Sequence, residues 1–264
     1  MIRRPPRSTL DRSSAASDVY KRQLYSSRLA KMWDLNKNTS VTITTLEDSK
    51  IFIIDNVFAE PKKLERFLFS RRTAQVENVE PFQMNGLEFI KSRYHDFVDK
   101  AAPMVWLASN LAKQQPSFYG SFKTNCDLWL TGDYNNWKDN YWFPHIDHGY
   151  NCITYFNDDD DTNGTNLYDP SLKDEEWFKN MMQEVPIGTQ PWIPKRKVKL
   201  LKTLRPKYNR MVLFDGAKFP HSPAIENDKY FVDSLDDVSD RKQFRSNLCF
   251  FFHPYENDNN NKKN

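Results

Sequence analysis

The sequence predicts an α+β fold in which helices come first and pack on one sheet of a β-sandwich or jelly roll. Three observations predict it. Apolar residues recur at helical spacing between Pro61 and Lys113. From about Asn125 onward the apolar segments become short, aromatic and β-branched. Asp, Asn, Gly and Pro bound each of those later segments, which is the punctuation of turns.

The elements follow in order. Residues 24–49 are polar and weakly patterned, and read as an irregular N-terminal segment. Lys50–Asp55 (KIFIID) reads as a short buried strand. Pro61 then opens a helix, where its missing N–H is harmless, and Leu64, Phe67 and Leu68 give that helix an apolar face. Phe89, Ile90, Tyr94, Phe97, Val98 and Ala101 extend a second helical pattern. Pro103 breaks it, and Met104–Lys113 continues as another helix. Strands are expected at 126–132, 151–157, 164–168, 197–204, 210–216 and 247–252. The polar tail 255–264 is expected to be disordered.

Composition closes several routes to function. With 39% hydrophobic and 14% aromatic residues in 264, the chain can build a substantial core, which excludes global disorder. No run approaches the length of a membrane span, and the mean hydropathy is −0.78. No two of the 7 Gly stand as G-x-G. Dinucleotide, P-loop and nucleophile-elbow motifs are therefore absent. Cys126, Cys152 and Cys249 form no C-x-x-C. They read as buried free thiols in a reducing, cytoplasmic setting.

Residues 1–23 stand apart, being rich in Arg and Ser. They resemble an organellar transit peptide and, more closely, a translated sequencing adapter of the kind found in environmental gene predictions. They are read as a non-native leader and set aside from the fold. They hold six basic and two acidic side chains, so the net charge falls from +3 for the whole chain to −1 for the remainder. The pI near 8.6 thus gives no indication of nucleic-acid binding. Lys195–Arg210 holds eight basic residues and no acid, but apolar Val198, Leu200, Leu201 and Leu204 interleave them. A solvated strand face balancing the acids at Asp158–Asp161 and beyond is the preferred reading over a nucleic-acid groove.

The chemistry lies in Phe143-Pro144-His145-Ile146-Asp147-His148 and in Phe219-Pro220-His221-Ser222. In an extended chain, residues i and i+2 share a side, so His145 and Asp147 can converge on one metal. His221, after the strand at 210–216, supplies a third ligand. Two histidines and one carboxylate on one face leave open positions suited to Fe(II), a chelating cosubstrate and O2. His148 and His253 are weaker competitors. Tyr134, Trp137, Tyr141, Trp142 and Phe143 crowd the segment before the first ligand. They either rim a substrate mouth or fill the core beneath it.

On these residues the chain resembles the Fe(II)/2-oxoglutarate-dependent dioxygenases, in particular the prolyl-4-hydroxylase-like branch. The resemblance runs over 50–254. It rests on His145-x-Asp147, the Gly164–Tyr168 turn and strand, Val212–Phe214 with His221–Ser222, and Arg245 opening the last core strand. It implies a double-stranded β-helix and a hydroxylase that oxidises a C–H bond while 2-oxoglutarate and O2 become succinate and CO2, with ascorbate as reductant. It implies that His145, Asp147 and His221 hold the iron. Arg245, and more loosely Tyr134, would bind the distal carboxylate, with Arg241 and Lys242 as rivals. The implied substrate is a peptide, amino acid or small molecule, a prolyl residue first among them, with no nucleic-acid or membrane partner. Three departures stand out, the first being the long path from His221 to Arg245 through Glu226–Arg241. Residues 169–194 are an insertion that reads as a lid or cap, and Asn247 stands where some relatives carry Ser. Two other classes stay open: a non-catalytic jelly-roll binding module with a vestigial site, and a cupin-like metalloenzyme that does not use 2-oxoglutarate.

Overall fold

In the computed structural model the described residues are 31–69, 74–75, 89–93, 102–112, 114, 122–131, 137–157, 164–184, 192–227 and 245–254. The chain is mostly β-sheet with few helices. Its strands are β1 (Ser40–Leu46), β2 (Ser49–Asp55), β3 (Ala74–Gln75), β4 (Phe89–Arg93), β5 (Phe122–Thr131), β6 (Asn140–Trp142), β7 (Tyr150–Tyr155), β8 (Gly164–Tyr168), β9 (Trp192–Pro194), β10 (Leu200–Leu204), β11 (Arg210–Asp215), β12 (His221–Ala224) and β13 (Arg245–Pro254). The helices are α1 (Pro61–Phe69), α2 (Ala102–Ala112) and α3 (Glu176–Glu184).

Eight strands form one antiparallel sheet in the order β1-β2-β11-β7-β13-β5-β4-β3, three form a second in the order β10-β8-β12, and β6 pairs with β9. From β7 onward the chain crosses repeatedly between the two larger sheets: β7 in the large, β8 and β10 in the small, β11 in the large, β12 in the small, β13 in the large. Alternation then sorts side chains into two layers. Phe52, Ile54, Met211, Leu213, Leu248 and Phe250 face outward from the large sheet, where Leu64 and Leu68 of α1 and Met104, Ala108 and Leu111 of α2 cover them. Ile51, Ile153, Tyr155, Val212, Phe214 and Cys249 face inward and meet Leu167, Leu204 and Phe219. The space between the sheets is thus an aromatic and aliphatic core.

Several expectations need correction. Residues 24–49 are not irregular throughout, because Ser40–Leu46 is a strand paired with β2 in full register. Its Thr, Val and Ile side chains suit an edge strand that buries little. The hairpin closes through Glu47 and Asp48, both at positive φ (46° and 61°), as the tight primed turn requires. Trp33 also lies in this segment and is fully buried against Phe58 and Phe250. Phe89–Arg93 is a strand on β5 and not the start of a helix. Five residues with two β-formers satisfy either period, and pairing decided. Pro103 sits in the first turn of α2, where it blocks no internal hydrogen bond, and the helical pattern expected at 94–101 lies outside the described residues. The expected strand at 197–204 shortens to Leu200–Leu204 behind a turn of 3-10 helix, Lys195–Lys197. His95, Arg241, Lys242 and the acidic run Asp158–Asp161 lie outside the described residues.

The described residues of the insertion, 169–184 and 192–194, form a cap cluster. Leu172, Phe178 and Ile193 are buried with Phe143 and Tyr168, and Trp177, Met181 and Met182 flank them. Tyr168 pairs with Leu200, so the excursion leaves and rejoins the small sheet at neighbouring positions. Of the aromatics before His145, Trp142 and Phe143 are core: Phe143 stacks on Phe178 at 5.5 Å, and Trp142 meets Trp192 edge-on at 5.2 Å. Gly164 stands where β10 comes closest, since a Cβ there would lie 2.4 Å from Leu204 O. Cys152 and Cys249 are buried free thiols. Among the described residues no helix is long and apolar enough to cross a membrane.

The basic run finds acids close by. Lys199 pairs with Asp169, Arg205 with Glu226, and Arg210 with Asp55. Arg210 grips both Asp55 oxygens, Nε to Oδ1 at 2.6 Å and Nη2 to Oδ2 at 3.0 Å, which ties β11 to β2. That hydrogen bond, aided by the charges of Arg210 and Lys207 and opposed by burial, holds the Asp55 carboxyl below its ordinary value of 3.8. A lowered folded value means stability that is present above pH 3.8 and lost as pH falls through the depressed value. Asp55→Asn should therefore cost about 1–2 kcal/mol at pH 7. The gap to the parent should close below the carboxylate range, as read by urea unfolding at pH 7 and pH 2.5.

Candidate metal centre

Three stretches of backbone bring the ligand residues together. Phe143–Asp147 runs beside the start of β12, and His145 and His221 exchange both backbone hydrogen bonds at 2.9 Å. Two residues on, Asp147 N–H donates to Gly216 O at 3.1 Å. The turn that carries Gly216 is itself fastened. Asp215 Oδ1 accepts from Ala217 N–H at 3.1 Å and Lys218 N–H at 3.0 Å, and Phe219 N–H returns to Asp215 O. One short segment, 215–221, thus holds Asp147 through its backbone and supplies His221.

Alternation aims the side chains. Ile146 packs outward into the cap cluster, so His145 and Asp147 turn to the inter-sheet side. His221 opposes Leu167 across β12 and β8, and Leu167 belongs to the inter-sheet core. The donor atoms of His145, Asp147 and His221 all lie within 4.8 Å of one another, and the two imidazole centroids are 4.3 Å apart. His148, one residue beyond, is exposed and outside this group. The side chain of His253 and all of Tyr134 lie outside the described residues.

The donor set suits a divalent cation. His221 Nδ1 is 2.9 Å from Phe219 O, and a carbonyl only accepts, so Nδ1 carries the hydrogen. Nε2 is left to face Asp147 Oδ2 at 3.1 Å. Fixing one ring nitrogen in this way is how proteins aim the other at a metal. Phe214 closes one side, edge-on to His221 at 5.0 Å. Burial opposes ionisation of Asp147. Contacts from His221, the neighbouring His145 and the Asn151 amide outweigh it, and the carboxyl is held well below the usual carboxylate range.

Arg245 occupies the same interior. It opens β13, on which Cys249 and Phe251 face the inter-sheet core, so residues 245, 247, 249 and 251 share that face. It is 4% exposed. Its Nη2 crosses to the small sheet and donates to Gly164 O at 3.1 Å. With the Asn247 amide turned so that each end meets a complementary group, Asn247 Oδ1 accepts from Nη1 at 2.5 Å and Nη2 at 3.0 Å. Nε is buried with no hydrogen-bond partner among the described residues. Among the described residues no carboxylate forms an ion pair with this guanidinium. A buried cation satisfied only by neutral acceptors calls for an anion. Tyr155, which the sequence reading did not single out, opposes Asn247 and donates to or accepts from Thr165 Oγ1 at 2.8 Å. Burial pushes its hydroxyl up to about 12, so it stays protonated.

No family model matches the sequence, and no curated protein matches it. Among solved structures, the chain is similar to a prolyl-4-hydroxylase from Pseudomonas putida, with 12% identity over 74% of this chain and 83% of that one and a TM-score of 0.37. It is also similar to SnoN, a non-heme α-ketoglutarate-dependent epimerase from nogalamycin biosynthesis, with 12% identity over 88% and 84% and a TM-score of 0.41. At those scores the weight of any functional reading rests on the residues of this chain.

Proposed function

We propose that the chain is an Fe(II)- and 2-oxoglutarate-dependent oxygenase with a jelly-roll core. The convergence of His145, Asp147 and His221 within 4.8 Å carries this reading. Two neutral nitrogens and one carboxylate on one side are a donor set for Fe(II) with sites left for small ligands. The crossing of the chain between two antiparallel sheets supports the jelly roll. Arg245 supports 2-oxoglutarate as cosubstrate, because its planar fork in a dry interior matches a carboxylate.

When bound, iron with 2-oxoglutarate and O2 supplies C–H oxidation, with succinate and CO2 as co-products. The protein's own part is positional. His145, Asp147 and His221 hold the metal. Arg245 anchors the distal carboxylate, with the Tyr155 hydroxyl on the same face. Ile153, Val212, Phe214 and Phe219 keep water out of the space between the sheets. The substrate class is a prolyl or other amino-acid residue, a free amino acid or a small molecule, met in the cytoplasm.

The test uses protein lacking residues 1–23, supplied with Fe(II), ascorbate and 2-oxoglutarate. Slow succinate release without added substrate is expected, and His145→Ala should abolish it. A chain that binds no divalent metal and releases no succinate would sink the reading in favour of a binding module.

A further inference from the structure

Asn151 is a buried residue of β7, 1% exposed, on the face of that strand that looks between the sheets. Its Nδ2 donates to Asp147 Oδ2 and lies 2.8 Å from His221 Nε2. One amide nitrogen thus reaches the side chains of two of the three ligand residues. Among the described residues its Oδ1 is buried without a hydrogen-bond partner. A buried amide left half-satisfied is unfavourable, and an apolar side chain of the same size would be the more stable choice in this core. The backbone also makes room for it. A Cβ at Gly216 would fall 2.9 Å from Asn151 Cγ and Oδ1, so only glycine at 216 leaves the amide where it is. The same Gly216 accepts the Asp147 N–H through its carbonyl.

From this juxtaposition we infer that Asn151 is a positioning residue of the metal centre. Its amide N–H occupies Asp147 Oδ2, so the carboxylate is presented through its other oxygen and ligates with one atom. It also holds the Asp147 and His221 side chains at a common spacing before a metal arrives. One-atom ligation keeps coordination positions free for other ligands, and preset spacing removes an ordering cost from metal binding. The inference rests on the metal reading above and adds to it a residue outside the ligand set.

The experiment compares parent, His145→Ala, Asn151→Leu and Asn151→Ala proteins, with Mn(II) as the probe. Free Mn(II) is followed by its EPR signal, Co(II) absorption reports the ligand field, and thermal unfolding is recorded without metal. Asn151→Leu keeps the branching and number of heavy atoms and removes the orphaned oxygen, so the metal-free protein should unfold at or above the parent temperature. Mn(II) affinity should nevertheless fall roughly 10- to 100-fold, and the Co(II) spectrum should change. Asn151→Ala should show the same loss of affinity, which keeps the test open if the leucine variant does not fold. Affinity within about threefold of the parent in both variants, with only the unfolding temperature altered, would mean that Asn151 is structural and overturn the inference. Mn(II) binding by the parent that His145→Ala does not weaken would overturn the metal reading itself.

Discussion

Asp147→Ala should yield a folded protein that no longer takes up a divalent metal. The carboxylate supplies the only negative charge in the ligand set, and its loss leaves two neutral imidazoles. Hard and borderline cations bind such a pair weakly, so affinity should drop by 10³-fold or more, on the order of 4 kcal/mol. The fold should not follow. The side chain's hydrogen bonds run to His221 and Asn151, while the backbone bond from Asp147 N–H to Gly216 O does not depend on it. Thermal unfolding separates the two effects. Metal at 100 times its Kd should stabilise the parent by about 2.7 kcal/mol and leave the variant where it was. A metal-dependent rise retained in the variant would place the metal elsewhere.

Arg245→Leu should leave metal binding intact and remove the response to 2-oxoglutarate. Among the described residues the guanidinium meets neutral acceptors alone, Gly164 O and Asn247 Oδ1, with Nε unpartnered. A carboxylate delivered there gains a desolvated, two-pronged ion pair. Truncating one partner of such a pair typically costs about 2–5 kcal/mol, so the apparent affinity for 2-oxoglutarate should fall roughly 30- to 4,000-fold. The concentration dependence of succinate release reads this directly. Stability should change little, because the variant removes a buried charge even as it leaves Gly164 O without its donor. An enzyme of the cupin type that ignores 2-oxoglutarate would show the opposite: metal-dependent chemistry indifferent to residue 245.

Much of the centre is legible in the sequence because it obeys local rules. The i, i+2 spacing of His145 and Asp147 needs only an extended chain, and Ile146 packing into the cap cluster is the other half of the same alternation. Arg245 is different: the family resemblance singled it out, and alternation along β13 then puts it on the inter-sheet face. Asn151 was not legible. It opens an apolar strand, NCITYFN, where one polar residue at the end reads as punctuation. Its meaning depends on Asp147, four residues away around a bend, and on His221, brought in from the other sheet. Tyr155 is hidden in the same way, since its partners sit on β8 and β13. The first hairpin escaped for a different reason. Half-exposed edge strands bury too little to write a strong pattern, and Val41 and Ile43 are 45% and 49% exposed.

The pairing of Tyr168 with Leu200 makes the cap a detour that begins and ends at one place on the small sheet. Its ends are already held a strand's width apart, so its length scarcely enters the free energy of closing it. The three ligand side chains hang on a separate scaffold, the doubled backbone bond between His145 and His221 and the fastened turn before it. The two parts can therefore change on different clocks. Descendants or designs could exchange the detour wholesale, altering what the surface presents, and keep the convergence of His145, Asp147 and His221 unaltered. A single residue gained or lost between Gly216 and His221 has no such freedom, because a one-step slip would turn Ser222 inward and send the histidine to the wrong side of its strand.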